Sequence, residues 1–314
     1  MAIDLPLEQA SLLQLQQTPI DNVLRIIDEG LVHLPSYREL YYRWEKQQWR
    51  SSEIDFAADR QQWEGMSQDE RTMRLYGLSA FFQGEASVTD TLSPYIIAMP
   101  EEEMRIFVTT QQVDEARHTI FFARFFSEVI GLDHGTLEDT LSEVRQYMNP
   151  QLKYILIESL NEVAQRLLQD STNMATLVEA VTLYHVVIEG TMALAGQRGI
   201  LENYRLNNLF PGFRGGFTAV ARDESRHVVF GVKFLRDMIQ RDHAYAKVVQ
   251  GAVERYAPTA LSAITPGDEQ IPQILAAGED PWLTPRFAQD SLRKKLKVVG
   301  LSMGLPEVPP APQA

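Results

Sequence analysis

The pentapeptide "DEARH" at 114–118 returns as "DESRH" at 223–227. In both copies a Glu is followed three residues later by a His, a spacing that puts the two side chains on one face of a helix. Both copies run on into apolar sequence, "HTIFF" and "HVVFG", so both histidines are expected to turn towards a core. A buried Glu is costly unless it is paired or holds a cation. Two buried Glu–His pairs therefore require positive charge between them, and the fold must bring two helices face to face. Scattering the glutamates and six histidines at random would give about half of one such match. Two matches that also share the preceding Asp and the inserted Arg stand well above that background.

The remaining sequence supplies further helices. Apolar residues recur at helical spacing from Gln68 to Leu92, with a stop expected before Pro94. After Pro100 the acidic turn "EEEM" opens a second long segment, and Gly131 is a fitting end for it. A helical stretch follows from about Gln151 to Gln169, then a strongly apolar one to about Gly196, then one containing the second pentapeptide, with Gly215 and Gly216 near its start. Alternating strand patterns are hard to find. Pro and Gly become more frequent between about Ala257 and Arg286. The reading is an all-α chain forming one domain over 1–304. Its metal-binding bundle lies at about 68–243, and a Pro-rich tail at 305–314 is expected to be disordered.

A dinuclear site in a four-helix bundle needs one more Glu from each of two other helices. Glu85, in "FFQGEASVT", and Glu189, in "YHVVIEGTM", are carboxylates embedded in apolar helical sequence. Each precedes an ExxH pair by a similar distance, which gives an internal two-fold: Glu85 with Glu115 and His118, Glu189 with Glu224 and His227. Four carboxylates and two imidazoles suit iron or manganese. Asp223 is placed to orient a ligating His, and Arg117 and Arg226 to pair with outer acids. His185 reads as a packed or hydrogen-bonded helix residue, and His33, His134 and His243 are given no role.

Composition narrows the function classes. A net charge of −13 argues against nucleic acid, whose binding rests on Lys and Arg neutralising phosphates. With no cysteine there are no disulfides, thiolate metal sites or thiol catalysis. The opening "MAIDLPLEQA" lacks a basic segment followed by an apolar run, and no stretch approaches 18 uninterrupted apolar residues. No signal peptide or membrane span is expected, and the expected location is the cytoplasm.

The motifs resemble those of the ferritin-like di-metal carboxylate superfamily, which includes acyl-carrier-protein desaturases, ribonucleotide reductase small subunits and arylamine N-oxygenases. Over roughly Trp49 to Phe230 the chain is more similar to the ligand-binding oxidases related to the ribonucleotide reductase small subunit. Those oxidases have a valine three residues after the first Glu ligand and a tyrosine five before the third, joined by an ether bond. Val88 and Tyr184 occupy these positions. The radical tyrosine of most reductase small subunits is replaced by Phe122, and the extra His ligand of the N-oxygenases by Val220.

The resemblance implies a ferritin-like four-helix bundle with additional helices. It further implies a mixed manganese–iron or a di-iron centre that activates dioxygen, supplied by an unidentified electron donor. A hydrophobic tunnel would hold a long-chain fatty acid or similar lipid with its carboxylate at the metals, with Phe81, Phe82, Val187, Met192 and Leu194 as compatible walls. The resemblance also implies a homodimer. Two other readings use the same ligands: a reductase small subunit of the kind that lacks the radical tyrosine, and a metal- and lipid-binding protein without turnover.

Overall fold

The computed structural model describes residues 7–133, 135–276, 280–305 and 307–310. Among the described residues there is no strand, and helices account for most of the chain. Six helices build and support the site: α1 (Tyr37–Lys46), α2 (Gln68–Ala98), α3 (Glu102–Phe125), α4 (Met174–Leu206), α5 (Pro211–Arg241) and α6 (Leu283–Val299). The bundle core consists of α2, α3, α4 and α5. Helices α2 and α3 pack along one another, α4 packs on α5, and Ile20–Val32 and α6 cover the outer sides of α5.

Local chemistry sets the helix starts. Ser67 and Glu70 form a capping box at the head of α2, and Ser36 and Glu39 form another at the head of α1. Glu102 and Glu103 occupy the first turn of α3, where the helix dipole favours acids. A short π-helical turn follows α3, and the chain then stops at Gly131 with φ +83°, a left-handed cap that glycine adopts without strain.

Two boundaries differ from the sequence expectation. Helix α2 does not stop before Pro94 but runs through it to Ala98. An interior proline costs about 3 kcal/mol, and packing offsets it here: Pro94, Tyr95 and Ala98 are buried, and the Tyr95 hydroxyl donates to Ala180 O at 3.3 Å. Helix α4 passes Gly196 and ends at Leu206, with π-helical geometry over Thr182–Ala193. In the Pro- and Gly-enriched region, the helix Tyr245–Ala263 runs through Pro258.

Helix α4 has the length and hydropathy of a membrane span, but 89% of its most apolar window is buried inside the protein. Helix α5 is more enclosed still, buried without a break from Phe213 to Val232. Leu305 and residues 307–310 carry no regular secondary structure, and Pro309 O accepts from Arg286. His134, residues 1–6, residue 306 and residues 311–314, the last two part of the expected tail, lie outside the described residues.

Candidate metal centre

All six residues singled out from the sequence meet at the middle of the bundle. Glu85 comes from α2, Glu115 and His118 from α3, Glu189 from α4, and Glu224 and His227 from α5, and all six are buried. The His118 Nδ1 lies 3.3 Å from Glu85 Oε2, 3.4 Å from Glu115 Oε2 and 3.3 Å from Glu224 Oε1. The His227 Nδ1 lies 3.2 Å from Glu115 Oε1, 3.4 Å from Glu189 Oε1 and 3.2 Å from Glu224 Oε2. Glu115 and Glu224 thus each turn one oxygen to either histidine, while Glu85 and Glu189 serve one side only. The internal two-fold read from the sequence thus closes into one site: the ExxH glutamates are shared, and two overlapping four-residue groups result.

The second layer crosses over. His118 on α3 meets Asp223 of the other pentapeptide, Nε2 to Oδ2 3.3 Å, and His227 on α5 meets Asp114 Oδ2 at 3.2 Å. Each Asp fixes the outer nitrogen of the opposite ring, leaving Nδ1 to face inward. Arg226 ties the two acids together, donating to Asp223 Oδ1 at 2.9 Å and Asp114 Oδ2 at 2.7 Å. Arg117 pairs with Asp114. Trp49 Nε1 donates to Asp223 Oδ2 at 2.8 Å, and Trp44 Nε1 on α1 to Asp114 Oδ1 at 2.9 Å.

Asp114, Trp44 and Gln111 were not singled out from the sequence. The Asp was legible, because it is repeated in both pentapeptides. Trp44 and Gln111 carry no such signal. Gln111 Nε2 donates to Tyr184 Oη at 2.9 Å and Glu189 Oε1 at 3.2 Å, while its Oε1 lies 3.0 Å from His185 Nε2. His185 is therefore a hydrogen-bonded core residue outside both metal-capable groups. Burial, followed by the neighbouring His227 charge, pushes its pKa down to about 3, so the ring is neutral.

The electrostatics call for cations. Burial pushes the carboxyls of Glu85 and Glu189 well above their usual range. Burial acts on Glu115 too, but the hydrogen bonds from His118 and His227 outweigh it and hold that carboxyl well below. Burial disfavours both imidazolium forms, yet the Glu85 charge beside His118 and the Glu224 charge beside His227, with the surrounding carboxylate hydrogen bonds, hold both rings well above the usual histidine value. Four buried carboxylates facing two imidazoles leave an excess of negative charge. Two divalent cations would balance the four carboxylates.

Geometry agrees with that fit. Donors about 2.1 Å from a common ion stand roughly 3 Å apart at right angles, close to the 3.2–3.4 Å found here. Glu189 Oε2 is buried without a hydrogen-bond partner, as expected of an oxygen reserved for an ion. Oxygen and imidazole donors without sulfur suit manganese or iron.

A cavity of about 280 Å³ reaches this centre. Glu85, Glu115, Glu189 and Glu224 form its inner end, with Val88 and Tyr184 beside them, and Tyr76, Ile200 and Thr284 line it further out. Tyr184 donates to Glu115 Oε1 at 2.7 Å. Of the walls named from sequence, Phe81 and Met192 line the cavity, whereas Phe82, Val187 and Leu194 pack in the core. Phe122 is fully buried among Phe81, Phe82, Phe213 and Phe217, and Val220 packs in the same cluster.

Residues 32–262 match the family model described as the ribonucleotide reductase small chain. The fold is similar to solved structures of an R2-like ligand-binding oxidase. One variant, with anaerobically reconstituted Mn/Fe cofactor, superposes with a TM-score of 0.73 at 23% identity, covering 84% of this chain and 93% of the other. Another, with a non-activated Mn/Mn cofactor, gives a TM-score of 0.73 at 24% identity over the same shares. At this identity the likeness is one of fold.

Proposed function

The chain belongs to the ribonucleotide reductase small-chain family, and from that premise we propose that it is a dinuclear-metal, dioxygen-activating oxidase with Mn and Fe, or two Fe, as cofactor. Its cavity takes a long-chain fatty acid or similar amphiphile, head group inward, and Tyr184 becomes joined to Val88 by an ether bond. The observation that carries the reading is the cavity itself. One continuous space is lined by the four glutamates, by Val88 and Tyr184, and by apolar side chains further out.

When bound, the metal pair supplies the redox chemistry with dioxygen that no side chain here can perform. The protein's part is positioning and exclusion of water. Glu115 and Glu224, which face both histidines, would be shared between the two ions, with Glu85 and Glu189 each serving one, while Asp114 and Asp223 hold the imidazoles with Nδ1 inward. The Tyr184 hydroxyl already donates a hydrogen bond to Glu115 Oε1, which holds the phenol oxygen at the inner end of the cavity beside Val88. Forming the C–O bond removes one hydrogen from the Tyr184 hydroxyl and one from a Val88 carbon. Two protons and two electrons leave, and dioxygen is the oxidant. The aromatic packing around Phe122 keeps bulk water from that end of the site.

The test is peptide mass mapping of protein loaded with Mn and Fe and exposed to air. The Val88 and Tyr184 peptides should be recovered as one species, lighter by two hydrogens than their sum. Recovery of both unmodified would overturn the cross-link. Turnover of added long-chain acids, many per metal site, distinguishes an oxidase from a protein that matures once and then only binds.

One observation favours a second reading, a reductase small subunit lacking the radical tyrosine. The hydrogen-bonded chain from Trp49 through Asp223 to His118 offers an electron route to the centre. Nucleotide reduction with an added large subunit would establish it. For the oxidase reading we further propose a homodimer, supported by an uncharged exposed face of α3.

A further inference from the structure

The cavity wall is not apolar throughout. Apart from the four inner glutamates its described lining is uncharged, and its polar members are Tyr76, Tyr184, Gln197 and Thr284. Two of these are committed. Tyr184 bonds Glu115, and Tyr76 donates to Ala263 O at 3.0 Å while accepting from Asn149 Nδ2 at 2.6 Å. Thr284 is only half-buried, near the outer end. Gln197 differs from all of them: it is 1% exposed, and its Oε1 is buried without a hydrogen-bond partner. Its neighbours on the wall are Ala193, Gly196 and Ile200, none of which has a polar side chain.

A buried amide oxygen left unpaired is costly, and a leucine of similar size would fill this position without that cost. Gln197 is part of the cavity lining, so a ligand in the cavity is the group placed to supply the missing partner. A carboxamide presents both donors and an acceptor, and its two ends exchange by a simple flip. A hydroxyl, which donates and accepts at one atom, matches either end. Gln197 lies eight residues beyond Glu189 on α4, at most about 12 Å along the helix at the α-helical rise of about 1.5 Å per residue. That is part-way along a long chain whose head group sits at the glutamates.

We propose that Gln197 is a specificity-determining residue that selects a long-chain acid carrying a hydroxyl within its chain, some way from the carboxylate. The inference rests on the proposed reading of the cavity as a long-chain amphiphile site and deepens it by naming the substrate class. Oxygenated chains bind in preference to plain ones because only they satisfy the buried amide.

The test uses delipidated, metal-loaded protein and calorimetric titration. The probes are hexadecanoic acid and hydroxyhexadecanoic acids with the hydroxyl at successive interior positions. The expected result is one position that binds about ten-fold tighter than the parent acid. In Gln197→Leu that preference should disappear while the parent acid binds as well as before or better, which also shows that the variant is folded. Equal binding of parent and hydroxy acids by the wild type, or a preference that survives Gln197→Leu, overturns the proposal and leaves the long-chain reading standing. Failure of every chain acid to bind the wild type overturns both.

Discussion

At the scale of single residues, the crossed second layer gives the repeated pentapeptide its meaning. The Glu and His of each copy face the ions, while its Asp serves the His of the other copy, so neither copy is complete alone. Asp114→Ala should therefore weaken the half-site built on His227 rather than that of His118 in its own motif. Loss of such a partner typically costs ten- to a hundred-fold in metal affinity. Chelator competition should show one of two bound ions released early, and unchanged retention of both would argue that the crossing has no bearing on metal binding. Lys295 makes a different residue-scale case. It is 1% exposed, its Nζ donates to Ser291 Oγ at 2.6 Å, and Ser291 in turn donates to Gly190 O in the π stretch of α4. Burial pushes its pKa down to about 7 from 10.5. Between those values the unfolded chain binds the proton that the folded chain has released, so stability from this group rises with pH. Below pH 7 the folded protein carries the full cost of a buried ammonium, roughly a few kcal/mol. Lys295→Met should accordingly raise the melting temperature by several degrees at pH 6, and the advantage over wild type should shrink towards pH 10. A pH-independent difference would show that Lys295 is not titrating in the folded state.

At the scale of elements, the π stretch of α4 explains a spacing that an α-helix cannot. In an α-helix residues five apart lie about 140° around the axis from one another, so Tyr184 and Glu189 would point apart. Hydrogen bonding from i to i+5 instead brings them to one side, where Gln111 Nε2 bonds both. The sequence gives no sign of this. Hydrophobic periodicity reports helix geometry only when one face is polar, and α4 is buried on every side from Ala180 to Met192. By contrast, the ligands themselves were legible, because a carboxylate in an apolar helix stands out against its neighbours. The π stretch also fits closely against α5. A Cβ added at Gly231 would stand 2.2 Å from the His185 Cβ, and His185 cannot retreat because it is fully buried and held by Gln111. Gly231→Ala should cost about 1–3 kcal/mol through overpacking, read as a lowered melting temperature both with and without metal. A melting temperature equal to wild type would mean that α4 and α5 separate more easily than this contact allows.

At the scale of the whole molecule, the bundle was readable from the pattern of apolar runs and their breaks, but the manner of its association was not, because the relevant face becomes visible only when burial is known. Beyond Glu102 in its first turn, the exposed residues of α3 are Ile106, Thr109, Val113, Ala116 and Ile120. Their spacing of three, four, three and four is that of a coiled-coil seam, and no charge interrupts it. Ile106, Val113 and Ile120 are 43%, 51% and 49% exposed, an apolar row with no partner among the described residues. A second copy related by a two-fold axis at Val113 would set Ile106 against Ile120 of its mate, so the apolar row would cover itself. Val113→Glu places two carboxylates opposite each other on that axis while leaving the inward side of α3, with Glu115 and His118, untouched. Sedimentation velocity should show the wild type at twice the monomer mass and the variant at the monomer mass, with both binding the same amount of metal. A variant that still sediments as a dimer would move the interface elsewhere, and a wild type that is monomeric at high concentration would remove the homodimer from the proposal.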